Sequence, residues 1–135
     1  MKKLTTFAAA ALALAMTGAG ALAETTLQLG TTVNEQDSFH VAAVKFAELV
    51  DERTNGEYKI EIYPNGTLGG ESDMLDSMST GMLDMGIITS GPFVNFSEMM
   101  GVLDMPYLFA NNEEAYKVLD GEIGRELLDT LEDAG

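Results

Sequence analysis

Small polar residues and glycines cluster after three predicted strands, in segments 30–34, 64–71 and 89–92. Parallel strands end at one edge of a sheet, and ligands of open α/β folds bind beyond that edge. The Thr, Asn, Ser and Gly groups of these segments supply uncharged hydrogen-bond donors. Predicted helix N-termini near Ser38 and Glu71 add backbone N–H groups and a partial positive charge. The pattern suits a small polar solute, including a carboxylate, although plain polar loops explain these residues alone equally well.

Nucleophilic catalysis has little support in the sequence. His40 is the single imidazole and falls in the first turn of a predicted helix. Ser72 or Ser90 could be drawn into a Ser–His–acid arrangement, but the Gly-x-Ser-x-Gly elbow is missing. We favour the interpretation that His40 is a surface or cleft residue with a structural hydrogen bond. Because it lies near a strand end, a contact with a ligand is also compatible with its position.

No cofactor or metal site is predicted. Segment 66–71, Gly-Thr-Leu-Gly-Gly-Glu, lacks the Lys and the Ser/Thr with which a P-loop holds phosphates, and the first strand is not followed by GxGxxG. Asp73 and Asp76 lie outside any calcium-loop pattern and fit a solvated helix face. The sequence contains no Cys, which excludes a disulfide scaffold and a thiolate zinc site.

The charge balance argues against nucleic acid as a partner. The 135 residues carry 22 acidic and 7 basic side chains, for a formal charge of −15, and the basic residues beyond Lys3 are scattered singly. A nucleic-acid binder needs a basic face to release counterions. With 46% hydrophobic and 21% charged residues, the chain has the composition of one globular α/β domain.

The predicted elements that position the polar segments alternate between strand and helix. Strands are expected at 25–32, 58–63 and 85–88, the last covered on both faces because it is continuously apolar. The first helix begins near Phe39 after an Asp37 or Ser38 cap, and the second spans 71–80 with Met74, Leu75, Met78 and Met82 on its buried side. This order favours a parallel sheet with right-handed crossovers.

Beyond the third strand the pattern weakens. Segment 92–105 is expected to be irregular or briefly helical, and segment 104–109 extended. Asn112 is predicted to cap a helix through Leu119, and a last helix precedes Gly135 as its terminator. Seven of nine methionines lie between positions 74 and 105, where core packing is the default, with Met99 and Met100 expected to be exposed.

Residues 1–23 are typical of a secretory signal peptide. Lys2 and Lys3 precede an apolar run over 7–16, and small residues at Ala21 and Ala23 mark a cleavage site. The run is shorter than the ~20 apolar residues of a membrane span. We therefore expect export, cleavage after Ala23 and a product that is not membrane-embedded.

Several stretches of the chain together resemble the solute-binding proteins of tripartite ATP-independent periplasmic (TRAP) transporters, the DctP family. The most specific is Tyr63-Pro64-Asn65-Gly66-x-Leu68-Gly69-Gly70-Glu71. The others are Phe39-His40-x-Ala42-Ala43-x-x-Phe46-Ala47-x-x-Val50, Gly81-x-Leu83-Asp84-Met85, Ser90-Gly91-Pro92, Val102-Leu103-Asp104-Met105-Pro106-Tyr107-Leu108-Phe109 and Val118-Leu119-Asp120-Gly121-x-Ile123-Gly124.

The resemblance implies a two-lobed, type II periplasmic binding protein that captures a small organic acid for a membrane permease driven by an ion gradient. Residues 24–135 would form an incomplete first lobe, with a mostly parallel sheet flanked by helices. By similarity, solute contacts fall at Thr32, His40, Glu71, Thr89 and Ser90, with Phe39 and Phe93 as cleft walls. In most members an arginine of the second lobe clamps a carboxylate.

The chain departs from this family in length, since members are more than twice as long and carry the second lobe. Weak binding and low stability are therefore expected of a partial lobe alone. Other interpretations remain: the binding protein of an ATP-driven importer, a nonfunctional truncated remnant, and, less favoured, a secreted hydrolase using His40.

Overall fold

The structure, a computed structural model, describes residues 24–132, so the predicted signal segment and Gly135 lie outside the described residues. Three strands, four α-helices and two 3₁₀ helices follow one another along these residues. The strands are β1 (Thr25–Thr31), β2 (Tyr58–Tyr63) and β3 (Met85–Ile87). The α-helices are α1 (Ser38–Arg53), α2 (Glu71–Ser79), α3 (Asn112–Leu119) and α4 (Glu122–Asp129), and the 3₁₀ helices span Gly91–Asn95 and Glu98–Asp104.

The three strands form one parallel sheet in the order β2-β1-β3. β1 pairs with β2 from Thr25↔Tyr58 to Gly30↔Tyr63, and with β3 from Leu29↔Met85 to Thr31↔Ile87. The chain moves from β1 to β2 through α1 and then crosses to the other side of β1 through α2. The predicted α/β class with parallel crossovers is confirmed, and all three strands end at the same edge.

Two glycines let α2 approach one face of the sheet closely. Gly30 and Gly86 are register partners on β1 and β3. A Cβ added to Gly30 would lie 2.6 Å from Met74 Sδ, and one added to Gly86 would lie 3.1 Å from Met78 Cε. Met74 is fully buried, with no exposed surface. The α2 methionines therefore fill the space that side chains at these glycines would occupy.

Helix α1 packs on the other face, but only part of its apolar stripe is buried. Ala43 is 3% exposed, whereas Phe39 is 59% and Phe46 46% exposed. An open apolar groove of about 340 Å³ runs between α1 and β3, lined by residues that include Phe46 and Ile87. Because this face of the edge strand β3 is open and its residues are half-buried, the prediction of a strand covered on both faces is wrong for the described residues.

The segment after the second 3₁₀ helix was expected to be extended and is not. Met105 follows that helix, and residues 106–108 form a turn and bend with Tyr107 at a φ of +61°. The Tyr107 side chain is fully exposed. Since no described strand lies beside this segment, its backbone has no ladder partner and folds back locally.

Three finer expectations also differ from the structure. Met82 is 73% exposed because α2 ends at Ser79, before the position at which Met82 would continue the buried stripe. Met100 is 5% exposed, so only Met99 matches the expected exposure. The cap of α3 is Asn111, not Asn112, because the Asn111 carboxamide oxygen accepts the Glu114 N–H at 2.9 Å.

Gly124 makes the α3–α4 corner possible. It is buried, and an added Cβ would lie 1.8 Å from the carbonyl oxygen of Leu119 and 2.5 Å from its carbon. Because the obstacle is backbone at the end of α3, no side-chain rotation relieves the clash.

Replacing Gly124 by alanine is expected to lower the free energy of unfolding by about 2 kcal/mol or more, the range of overpacked sites. Denaturant unfolding followed by circular dichroism measures the change. Gly101→Ala is the control, because its added Cβ would lie 3.3 Å from a Val94 methyl that can shift. Equal losses of stability in the two variants would contradict the backbone clash at Gly124.

Within residues 24–132, no helix is long and apolar enough to cross a membrane. The same residues contain no group of three or more His, Asp or Glu side chains arranged to hold a metal ion.

Candidate functional site

The three polar segments meet at the carboxyl edge of the sheet. The Asn65 N–H donates to the Val33 carbonyl at 2.9 Å, and the Gly66 N–H donates to the Thr31 carbonyl at 3.0 Å. These bonds tie the loop before α2 to the residues on either side of Thr32. The predicted convergence of the first two segments therefore occurs through the backbone.

The loop from β2 to α2 depends on residues that accept positive φ. Asn65, Gly66 and Gly69 have φ values of +60°, +66° and +103°. A Cβ at Gly69 would also lie 2.8 Å from the Cβ of Asp73. Gly, and to a lesser degree Asn, tolerates this conformation, which explains the Asn65-Gly66 pair and Gly69 of the motif.

Glu71 joins this loop to the end of β3. It is the first residue of α2, and its carboxylate accepts two hydrogen bonds from Thr89. The Thr89 N–H donates to Oε1 at 3.3 Å and the Thr89 hydroxyl donates to Oε2. The structure thus brings together two of the predicted site residues, 18 positions apart in the sequence.

Ser90 has a partner that the sequence analysis did not predict. Its hydroxyl donates to Asp104 Oδ1 at 2.9 Å. Asp104 is the last residue of the second 3₁₀ helix, and its Oδ2 lies 3.7 Å from the position of a Cβ added to Gly91. The sequence does show an acidic residue, Asp104, within the Val-Leu-Asp-Met-Pro motif. Its contact with Ser90 could not be predicted, because the two 3₁₀ helices between them follow no regular hydrophobic period.

His40 lies in the first turn of α1 and carries an orphan polar atom. Its Nδ1 is buried and has no hydrogen-bond partner within the described part of the chain. A catalytic triad requires an acid at this nitrogen to orient the ring. The described residues therefore hold no assembled Ser–His–acid triad.

The remaining predicted contacts are spread around the edge. Thr32 is exposed directly after β1. Phe39 projects largely into solvent from α1. Phe93 lines a cavity of about 410 Å³ shared with Leu75 and Phe96, which also borders the start of β3.

An acidic side chain accepts a backbone N–H at both helix N-termini of this edge, from the N-cap Asp37 in α1 and from the third residue, Asp73, in α2. Asp37 Oδ1 accepts the Phe39 N–H at 2.8 Å, and Asp73 Oδ2 accepts the Gly70 N–H at 2.9 Å. The expected partial positive charge is therefore already opposed by a carboxylate at each helix. The free donors predicted at these two helix ends are correspondingly fewer.

Charged and phenolic groups of β2 are engaged along the strand. Lys59, at its start, lies 2.6 Å from Glu24, and this hydrogen bond raises the pKa of the ammonium above its usual value. Tyr63, at its end, has a hydroxyl pKa raised above its usual value, chiefly by a hydrogen bond to Glu61. The Tyr63 hydroxyl is therefore neutral at physiological pH. The Lys59 ammonium lies at the amino end of β2, whereas the candidate site lies at the carboxyl ends of the strands.

In open α/β sheets, ligands bind beyond the carboxyl ends of the strands, which is where this chain gathers its polar loops. The family model for bacterial extracellular solute-binding protein family 7, DctP, matches residues 29–135. The chain belongs to this family, and its resemblance to TRAP solute-binding proteins is confirmed.

Relatives of known name bind different organic acids. The 2,3-diketo-L-gulonate-binding periplasmic protein YiaO of Escherichia coli (strain K12) is 38% identical over 122 residues, covering 90% of this chain and 37% of YiaO. The C4-dicarboxylate-binding protein DctB of Bacillus subtilis (strain 168) is 36% identical over 91 residues, covering 67% of this chain and 26% of DctB.

A solved structure supports the same fold. The TRAP periplasmic solute-binding protein of Polaromonas sp. JS666, bound to D-erythronate, superposes with a TM-score of 0.79 at 36% identity, covering 83% of this chain and 37% of that one. The chain thus covers between about a quarter and little more than a third of the length of these relatives. The family and its structural neighbours are periplasmic binding proteins, not enzymes.

Proposed function

We infer that this chain forms part of an extracytoplasmic receptor that captures a small organic acid and delivers it to a TRAP-type membrane permease. The observation that carries the inference is the joining of three loops at one sheet edge in a chain that matches the family over residues 29–135. The backbone bonds of Asn65 and Gly66 join the first two loops, and the Glu71–Thr89 hydrogen bonds join the third. Ligands of open α/β sheets bind at such an edge.

The solute contacts proposed on this lobe are Glu71, Thr89 and Ser90. Glu71 and Thr89 are hydrogen-bonded to each other, and Ser90 directly follows Thr89 and is hydrogen-bonded to Asp104. Thr32 and His40 flank them on the side of β1. His40 is included because its buried Nδ1 lacks a partner, and buried polar atoms in proteins are nearly always paired. Phe39 and Phe93 are proposed as walls of the cleft.

The class of solute follows from the relatives. YiaO is named for a sugar acid and DctB for C4-dicarboxylates, and the Polaromonas structure holds D-erythronate. A carboxylate is common to all three. A small organic acid is accordingly the proposed solute class.

The organisation and location of the chain are also part of the proposal. Residues 1–23 act as a signal peptide with cleavage after Ala23, and residues 24–135 form an incomplete first lobe of a two-lobed domain. The family's periplasmic location and the partial coverage of its members support this proposal. The permease is the proposed partner because the structural neighbours are TRAP proteins.

Isothermal titration calorimetry on the full-length gene product tests the function. At least one aldonate or dicarboxylate is expected to bind with a Kd of about 1 μM or tighter. The matched control is a neutral alditol of the same carbon count, which lacks the carboxylate and should bind far more weakly. If no organic acid in such a panel binds at millimolar concentration, the proposed function is wrong.

A further inference from the structure

The chain contains two Asn-Gly pairs, Asn55-Gly56 and Asn65-Gly66, and both asparagines are exposed. Glycine has no side chain to shield its backbone nitrogen, so this nitrogen can approach the carboxamide of the preceding asparagine. Every other asparagine of the chain is followed by Glu, Phe or Asn. In the unfolded chain these two pairs are therefore the positions at which an asparagine reacts most readily with its own backbone.

The reaction is deamidation through a cyclic imide. The glycine nitrogen gives up its proton and forms a bond to the side-chain carbonyl carbon, and the carboxamide nitrogen leaves as ammonia. Water then opens the imide ring at one of its two carbonyl carbons. The product is aspartate or isoaspartate, and in isoaspartate the backbone is longer by a methylene. Water is the only co-reactant, and each event adds a negative charge.

The reactive nitrogen of the first pair is held by a local hydrogen bond. The Gly56 N–H donates at 2.9 Å to the carbonyl of Asp51, in the last turn of α1. The end of a helix opens at little cost in free energy compared with the core of a fold. Fraying of this turn is therefore enough to free the Gly56 nitrogen while the rest of the protein stays folded.

The reactive nitrogen of the second pair is held by the sheet. The Gly66 N–H donates at 3.0 Å to the carbonyl of Thr31, a residue that ends β1 and is 1% exposed. The neighbouring Asn65 N–H donates to the Val33 carbonyl at 2.9 Å, and the Gly69 N–H closes the loop onto the Gly66 carbonyl at 3.0 Å. To free the Gly66 nitrogen, the loop before α2 has to separate from a buried strand end, which is a larger opening than fraying of a helix turn.

We propose that Asn55 and Asn65 are both deamidation sites, that Asn55 deamidates in the native protein, and that the sheet protects Asn65 until this edge opens. Deamidation of Asn65 thus marks molecules that have opened at the carboxyl edge of the sheet. An isoaspartate there would lengthen the loop whose bonds to Thr31 and Val33 fix the start of α2. Neither reaction requires a solute, so the proposal stands independently of the proposed function.

Peptide mapping tests the proposal on the full-length gene product, aged in mildly alkaline buffer with and without guanidinium chloride. Trypsin separates the two pairs because Lys59 lies between them, and mass spectrometry detects each event as a gain of about 1 Da. In native buffer Asn55 is expected to deamidate about 10-fold faster than Asn65 or more, because opening of the strand edge is the rarer event. In guanidinium chloride the two rates should agree within about 3-fold, because both hydrogen bonds are lost.

Asn95, which precedes Phe96, is the internal control in the same digests and should stay unmodified while both Asn-Gly pairs react in guanidinium chloride. Equal native rates at the two pairs, a faster reaction at Asn65, or an unreactive Asn55 in native buffer would overturn the proposed protection. An Asn-Gly pair that fails to react in guanidinium chloride would not be a deamidation site, and the proposal would be wrong for it.

A packing variant tests the protection by the sheet directly. Met74→Ala loosens α2 where it covers Gly30, next to Thr31, and is expected to speed native deamidation of Asn65 by about 10-fold or more. The rate at Asn55 should change by less than about 2-fold, since its hydrogen bond lies within the end of α1. Met82→Ala is the matched control and should leave both rates unchanged; an unchanged Asn65 rate in Met74→Ala would contradict protection by the sheet.

Discussion

Replacing Glu71 by glutamine in the full-length gene product is expected to weaken binding of the organic acid by about 10- to 100-fold, the range of a charge-assisted hydrogen bond. The carboxylate lies at the first position of α2 and accepts from Thr89, so it reaches the sheet edge where the solute is proposed to lie. Glutamine keeps the shape but loses the charge and one acceptor oxygen. Isothermal titration calorimetry gives the Kd of each variant.

The control for this substitution is Glu122→Gln. Glu122 is the first residue of α4 and shares with Glu71 the favourable contact of an acidic side chain with a helix N-terminus, worth about 0.3–1 kcal/mol. Both variants should lose the helix N-terminal contribution, and Glu71→Gln should lose somewhat more stability because it also weakens the hydrogen bonds from Thr89. Only Glu71→Gln should change the Kd. Equal affinity in the two variants would remove Glu71 from the proposed contacts.

Replacing Met74 by alanine is expected to lower the free energy of unfolding by about 2–5 kcal/mol, the range of large-to-small changes in a core. Met74 is 0% exposed and its Sδ occupies the space above Gly30. Because Gly30 has no side chain and faces Gly86 across the strands, no neighbour on the sheet can move in to fill the cavity. Chemical denaturation at constant temperature measures the loss.

Met82→Ala is the matched control, since it removes the same atoms from a side chain that is 73% exposed. It should change stability by less than about 0.5 kcal/mol. Met74→Leu, which nearly keeps the volume, should recover most of the loss. If Met74→Ala and Met82→Ala were equally stable, the packing of α2 on the glycine pair would be wrong.

The main elements of the fold were predictable because their signals are local. The Asp37 cap, the Tyr58–Tyr63 alternation and the start of α2 at Glu71 all appear in the structure at or within one residue of their predicted places. Period and capping depend on neighbours within a few residues, so one sequence is enough to read them. The prediction for segment 104–109 was wrong because such local signals are missing there. The segment has apolar residues typical of a strand, but no described strand lies beside it.

The position of the candidate site in the fold could be predicted from the sequence, but the hydrogen bonding and burial of its residues could be predicted only in part. Parallel strands must end at one edge, so the order of strand and helix already assigned Glu71, Thr89 and Ser90 to a common region. The buried orphan nitrogen of His40 could not be read from its residue type, because burial depends on neighbours distant in the sequence. The same holds for Phe93, whose ring lines a cavity beside α2.

The sequence by itself determined the α/β class, the parallel crossovers and the family, because periodicity, turn residues and the Pro-Asn-Gly-x-Leu-Gly-Gly-Glu motif are properties of contiguous residues. Only the tertiary structure decided the direction of the hydrogen bonds at the sheet edge. Residue types show that Thr89 and Ser90 can donate or accept. In the structure, Thr89 donates its hydroxyl hydrogen to Glu71, 18 positions away, and Ser90 donates its hydroxyl hydrogen to Asp104, 14 positions away. Both hydroxyl oxygens can then only accept further hydrogen bonds.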